Sequence, residues 1–113
     1  MGKFSFMDSV TVSAGGSATI TYTNEYAGKT IKLRKVCVAI DDTAVYTVTA
    51  QVFVGLKQIA PTNGKFVSVG SPRPICFDTD AEVSPNNTVK VIITNNDSDD
   101  HNAALILEGD ISD

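Results

Sequence analysis

The sequence predicts an all-β chain, folded as an antiparallel β-sandwich of jelly-roll type with about eight short strands. Three observations lead there. The apolar set holds 13 Val and 9 Ile against 4 Leu, with 12 Thr beside them, and β-branched side chains suit a pleated surface while losing rotamer freedom in a helix. Alternation of apolar and polar residues dominates, and no segment sustains a 3.6-residue period. Turn signals separate the alternating runs at short intervals, as in sandwiches and small barrels. At 113 residues the chain is one domain, large enough to bury roughly two-thirds of its unfolded surface. With 42% apolar and 19% charged residues it is not a disordered polymer.

The elements follow in order. Phe4, Phe6, Val10 and Val12 share one parity, interrupted at Asp8, so residues 1–8 read as an N-terminal arm and 9–113 as the sandwich. The turn Ala14-Gly15-Gly16-Ser17 leads to Ala18, Ile20 and Tyr22 alternating with Thr19, Thr21 and Thr23, a half-buried strand. Asn24 to Lys29 is a loop. Within Thr30–Ile40, Ile31 and Leu33 lie on one parity but Val36, Val38 and Ile40 on the other. One face can hold both sets only if an extra residue is inserted near Arg34-Lys35, which predicts a β-bulge. Asp41 to Ala44 connects to the longest alternation, Tyr46, Val48, Ala50, Val52 and Val54. Residues 55–74 read as an irregular excursion holding one short strand, Lys65–Val69. Ile75–Phe77, Val89–Ile93 and Ala103–Leu107 complete the set. A jelly roll accommodates the excursion better than an immunoglobulin sandwich, whose buried Trp hallmark a chain with no Trp cannot supply.

Charge and motifs exclude several function classes. A net charge of −4 and a pI near 4.7 argue against nucleic acid, since Lys29, Lys32, Arg34 and Lys35 form the only basic run and read as a solvated strand face. No apolar run approaches the ~20 residues of a membrane span. The N-terminus lacks the apolar core of a signal peptide, and Phe6 stands where a myristoylation site needs Ser or Thr. The expectation is a chain made in a host cytoplasm. Cys37 and Cys76 sit among apolar neighbours without metal-site spacing, and are expected as buried free thiols.

Catalytic and metal readings are weak. The single histidine, His101, falls in the polar run Asn95–Asn102 and reads as a loop-tip residue. A catalytic role would require the fold to set it beside a thiol or carboxylate in a closed pocket. The clusters Asp41-Asp42, Asp78-Thr79-Asp80-Ala81-Glu82 and Asp97-Ser98-Asp99-Asp100 are explained by turn chemistry, with calcium as the alternative occupant at Asp78, Asp80, Asp97 and Asp99. Tyr26 is the one tyrosine in a loop, and a glycan-binding, calcium-dependent module using loops around Tyr26, Asp78 and Asp97 is the alternative function.

Two features point to assembly instead. Phe4 and Phe6 precede the first confident strand on an apolar arm. Val91-Ile92-Ile93 and Ala103–Leu107 are apolar on both parities, which leaves Ile92 and Ile106 facing away from the core, as contact residues do. A Val/Thr-rich, weakly acidic all-β chain with these features resembles the small structural virion proteins of bacteriophages, the decoration (cement) proteins and jelly-roll coat or spike-base subunits. The resemblance spans the whole chain in size, composition and strand pattern. It implies a virion protein present in repeated copies of three-fold or similar symmetry, with apolar arms or edges bridging neighbours and with other copies of itself and a major capsid protein as partners; no cofactor is expected. The residues expected at the interface are Phe4, Phe6, Ile92 and Ile106.

Overall fold

The computed structural model describes residues 2–112, which form ten strands and no helix. In chain order they are β1 (Gly2–Val12), β2 (Ser17–Thr23), β3 (Ile31–Ile40), β4 (Val45–Val54), β5 (Lys57–Ala60), β6 (Phe66–Val69), β7 (Ile75–Asp78), β8 (Glu82–Val83), β9 (Thr88–Asn95) and β10 (His101–Ile111). One sheet runs β1-β10-β3-β7, with β8 also on β3. The other runs β2-β9-β4-β5, with β6 also on β4. Every pair is antiparallel. Because β5 and β6 lie end to end along β4, and β7 and β8 along β3, there are eight strand positions. Successive positions then give the two-sheet connectivity of a jelly roll, the architecture expected from the sequence.

Residues 2–8, expected as part of an arm, are the first part of β1; Met1 lies outside the described residues. β1 pairs with β10 in unbroken register from Gly2↔Ile111 to Val12↔His101. Asp8 does not interrupt the strand, because β1 is an edge and an inward-parity carboxylate there still reaches water. Phe4 is 5% exposed. Both Phe4 and Phe6 pack tilted on Tyr22 with ring centroids 5.0 Å away, closing the mouth between the edge strands β1 and β2.

The expected bulge is present and falls on Arg34. Lys35 faces Glu108 and Leu33 faces Gly109, leaving Arg34 unpaired in the β10 ladder. This switches the inward parity, so Ile31, Leu33, Val36, Val38 and Ile40 are all buried. The backbones approach so closely here that a Cβ on Gly109 would run into the Lys32 carbonyl oxygen. On the other flank the Arg34 carbonyl accepts from Thr79 N–H at 3.0 Å and Leu33 N–H donates to the Ala81 carbonyl at 2.8 Å. The loop between β7 and β8 thus accommodates the extra residue.

The core is the paired inner faces, led by Leu33, Val36, Val38, Val52, Val91, Ile93, Leu105 and Leu107, all buried. Each such side chain contributes roughly 1.5–3 kcal/mol. The cysteines depart from expectation. Cys37 and Cys76 lie directly opposite each other in the β3–β7 pair and form a disulfide, with Cα atoms 4.0 Å apart. Their apolar neighbours suggested burial, but those neighbours occupy the inward parity and the thiols the outward one. Cys37 is covered while Cys76 is exposed.

Candidate functional site

His101 opens β10 and points inward, not outward as a loop-tip residue would. It is 2% exposed. Its Nδ1 lies 2.8 Å from Asp41 Oδ1 and its Nε2 2.7 Å from Asp97 Oδ2. Thr43 Oγ1 donates to Asp41 Oδ1 at 2.8 Å, and Asn102 N–H donates to Asp41 Oδ2 at 2.8 Å. Two carboxylates can be satisfied by one imidazole only if both ring nitrogens carry protons. The hydrogen bond to Asp97 leads in raising the His101 pKa above its ordinary 6.5; burial opposes it, and Asp41 adds to it. Asp97 is held below the usual carboxylate range, first by its bond to His101. Burial pushes Asp41 up, but the bonds from Asn102, His101 and Thr43 outweigh it and its pKa falls. With both nitrogens engaged, no lone pair is free to take a proton from a substrate. The arrangement is a clamp joining the β3–β4 and β9–β10 loops.

Two buried asparagines do related work. Asn95 Nδ2 donates to the carbonyls of Val12 at 3.0 Å and Asp99 at 2.8 Å, and its Oδ1 accepts from Asp97 N–H at 2.9 Å. Asp100 Oδ1 accepts from Ala14 N–H at 2.9 Å, so the β1–β2 turn joins the same end. At the opposite end Asn24 Nδ2 donates to the Lys29 and Val83 carbonyls, each at 2.9 Å. The sequence carried a signal for all three residues. Each extends the inward parity of its strand by two positions: Asn24 after Ile20 and Tyr22, Asn95 after Val91 and Ile93, His101 before Ala103 and Leu105.

The outward face of the β1-β10-β3-β7 sheet is divided in two. Across one half the registers set Lys3, Asp110, Lys32 and Glu82 in a row, and Ser5, Glu108, Lys35 and Asp78 in the next. Adjacent strands therefore carry opposite signs, the favourable arrangement for cross-strand pairs. Arg34 adds a bond from Nε to Asp110 Oδ2 at 2.8 Å. Across the other half the rows are Met7, Ile106, Cys37 and Cys76, then Ser9, Ala104 and Ala39. Met7 is 68% exposed. The small side chains leave a shallow groove of about 220 Å³ bordered by Pro72.

A second exposed apolar corner surrounds Tyr46. Its φ is 60°, in the left-handed region that a bulky L residue enters at a cost. Three β4 residues between Val45 and Thr49 stand opposite Ser68 alone, and Ser68 Oγ accepts from Thr47 N–H at 3.3 Å and Val48 N–H at 3.2 Å. Thr47 Oγ1 is buried and finds no partner among the described residues. Tyr46, Val45 and Val69 are exposed together.

The residues expected at an interface are therefore dispersed. Phe4 is core and has no surface to offer; Phe6 is half-buried against Tyr22. Ile92 is half-buried between Thr19 and Gln51 on the outward face of one sheet, and Ile106 on that of the other. The four candidate calcium ligands separate as well. Asp78 stands opposite Lys35 on the edge strand β7, Asp80 lies 4.0 Å from Arg34, and Asp97, bound to His101, lies with Asp99 in the β9–β10 loop. Among the described residues no group of three acidic, His or Cys side chains is placed to hold a metal ion. Tyr26 lies in the β2–β3 loop, where its N–H donates to Asn24 Oδ1 at 3.0 Å.

No protein-family model matches the chain, and no curated protein matches it. Solved structures do. A chain of the Sulfolobus Turreted Icosahedral Virus is 15% identical with a TM-score of 0.61, over 97% of this chain and 29% of that one. This chain therefore corresponds to under a third of the viral chain. The PRD1 vertex protein P5 is 8% identical with a TM-score of 0.52, over 95% of this chain and 96% of that one. The Yersinia pseudotuberculosis-derived mitogen is 15% identical with a TM-score of 0.53, over 92% and 84%. At these identities the likeness is one of fold, and virus proteins are among those sharing it.

Proposed function

We propose that this chain is a non-enzymatic structural subunit of a virion, of the coat or capsid-decoration kind, working through contacts with other copies and with a major capsid protein. The observation that carries the reading is the apolar half of the β1-β10-β3-β7 face. A sheet that confines its charges to one half and presents Met7, Ile106, Ala104 and Ala39 on the other is shaped for protein contact, since contiguous exposed apolar surface marks interaction sites. The occupied nitrogens of His101 support a role without acid–base catalysis. The fold shared with virus proteins supports the setting and does not by itself assign it.

The expected interface is revised accordingly: Ile106 keeps its place, Met7 joins it, and Phe4 becomes a core residue. The test is immunogold microscopy of virions from the source culture, using antibody against the recombinant chain. Labelling on particles supports the reading, and label confined to the particle-free supernatant refutes it. Addition of the Met7→Glu chain to particles stripped of the native one then checks the face. Binding weakened at least tenfold, with an unchanged β spectrum, is the expected result.

A further inference from the structure

Each of the two sheets has two edges, and a sheet edge is a row of unpaired N–H and C=O groups that proteins ordinarily guard. Three of the four are guarded here. β1 carries Lys3 and Asp8. β7 is four residues long, follows Pro72 and Pro74, and is tied to β3 by the disulfide. The fourth strand position of the other sheet is broken into β5 and β6 and carries Lys57 and Lys65 within or beside them. The remaining edge, β2, has none of these devices. Its seven residues, Ser-Ala-Thr-Ile-Thr-Tyr-Thr, include no charge, no Pro and no Gly. They pair with β9 from Ser17↔Thr94 to Thr23↔Thr88 without a register shift. Among the described residues no strand pairs with the other side of β2. Neutrality, β propensity and regularity are together the features of a strand that adds to another.

We infer that β2 is a self-association edge, on which two copies of this chain pair antiparallel about a two-fold axis through Ile20 to join their sheets. The strand is complementary to itself. Centred on Ile20, Thr19 faces Thr21 of the second copy, Ala18 faces its Tyr22, and Ser17 its Thr23. No charge opposes a like charge anywhere along the pair, and Thr–Thr is a favourable cross-strand combination. A charged partner strand would find no counter-charge on β2, whereas a second neutral β2 fits it. An isologous contact of this kind closes at two copies. The inference deepens the subunit reading by naming its self-contact. It concerns the free chain, so its failure leaves the particle labelling untouched, and a failed labelling leaves it standing.

The test is molar mass by light scattering on a size-exclusion column over a hundredfold dilution. The wild-type chain is expected at twice its 12.0 kDa mass at high concentration. A Thr19→Lys/Thr21→Lys chain is expected to run at half the wild-type mass, because each new lysine then faces a lysine. A Thr19→Glu/Thr21→Glu chain should do the same, and an equimolar mixture of the two should regain the wild-type mass. Both threonines are exposed on the outward parity, and the far-UV spectrum checks that the variants fold. Hydrogen exchange on the wild-type chain gives a second readout free of substitutions, with β2 amides slower at high concentration than at low. A wild-type monomer at every concentration, an assembly whose mass the lysines leave unchanged, or β2 exchange indifferent to concentration overturns the inference.

Discussion

Replacing Asp41 by Asn tests whether the clamp around His101 is ionic, and the structure fixes the sign of its pH dependence. Asp41 accepts three hydrogen bonds, from His101 Nδ1, Thr43 Oγ1 and Asn102 N–H, each at 2.8 Å. Asn keeps one acceptor oxygen and turns an NH2 group toward one of those donors. Hydrogen bonds to charged groups are worth about 1.5–3 kcal/mol. With the Asp41 side chain 28% exposed, a cost of about 2 kcal/mol is expected near pH 6. His101 has its pKa raised on folding, so its contribution is fully present below the unfolded value near 6.5 and is lost as pH rises through the folded value. In that interval the wild-type slope approaches about 1.4 kcal/mol per pH unit, the worth of one proton. The carboxylates of Asp41 and Asp97 are lowered. Their contribution is present above the ordinary value of 3.8 and is lost as pH falls through the folded values. Stability therefore peaks between about pH 4 and 6.5. Urea unfolding followed by far-UV circular dichroism from pH 4.5 to 9 measures this, the chain having no Trp to report by fluorescence. The cost of Asp41→Asn should shrink toward the alkaline end. A wild-type curve flat from pH 5 to 8.5, or a variant cost equal at both ends, refutes the imidazolium clamp.

The bulge makes Gly109→Ala costly, because the new methyl meets backbone and not a movable side chain. A loss of about 1–3 kcal/mol in the unfolding free energy from urea titration is expected, and a loss under about 0.5 kcal/mol contradicts the close approach. Reducing Cys37–Cys76 opens a link between residues 39 apart, for which chain entropy alone gives about 4 kcal/mol. A melting temperature unchanged by dithiothreitol argues that no such link exists. Tyr46→Gly removes a left-handed aromatic residue from an exposed site and is expected to be neutral or to stabilise by up to ~1 kcal/mol. Tyr46→Ala, which keeps the strained backbone, should give no gain.

Parity was the most informative property of the sequence, and it worked wherever a strand faced the core. The switch between Leu33 and Val36 located the bulge because only a bulge lets both sets face inward. The same alternation marked β2, β4 and β9. It was silent where no core-facing run exists: β5 and β8 are too short to show a period, and both owe their pairing to β4 and β3. Pairing across the sheet was equally hidden, so Cys37 and Cys76 gave no sign of standing opposite each other. Polar residues at the ends of inward rows were read as loop because polarity suggests exposure. In Asn24, Asn95 and His101 burial is made tolerable in part by partners distant in sequence, Val83, Val12 and Asp41 respectively, and a single sequence does not show them.

The loop end that His101 clamps also gives the molecule a direction. Five of the 13 acidic residues, Asp41, Asp42, Asp97, Asp99 and Asp100, lie in the two loops it joins. The one Lys or Arg in the adjoining 70–74 segment is Arg73. Outside these segments the sequence holds eight Lys or Arg and eight Asp or Glu, in a body 46 Å long and about 22 Å across. The acidic excess is thus carried by those loops. Their field reaches roughly 8–10 Å at ordinary ionic strength, so a positively charged surface is expected to be drawn to that end first.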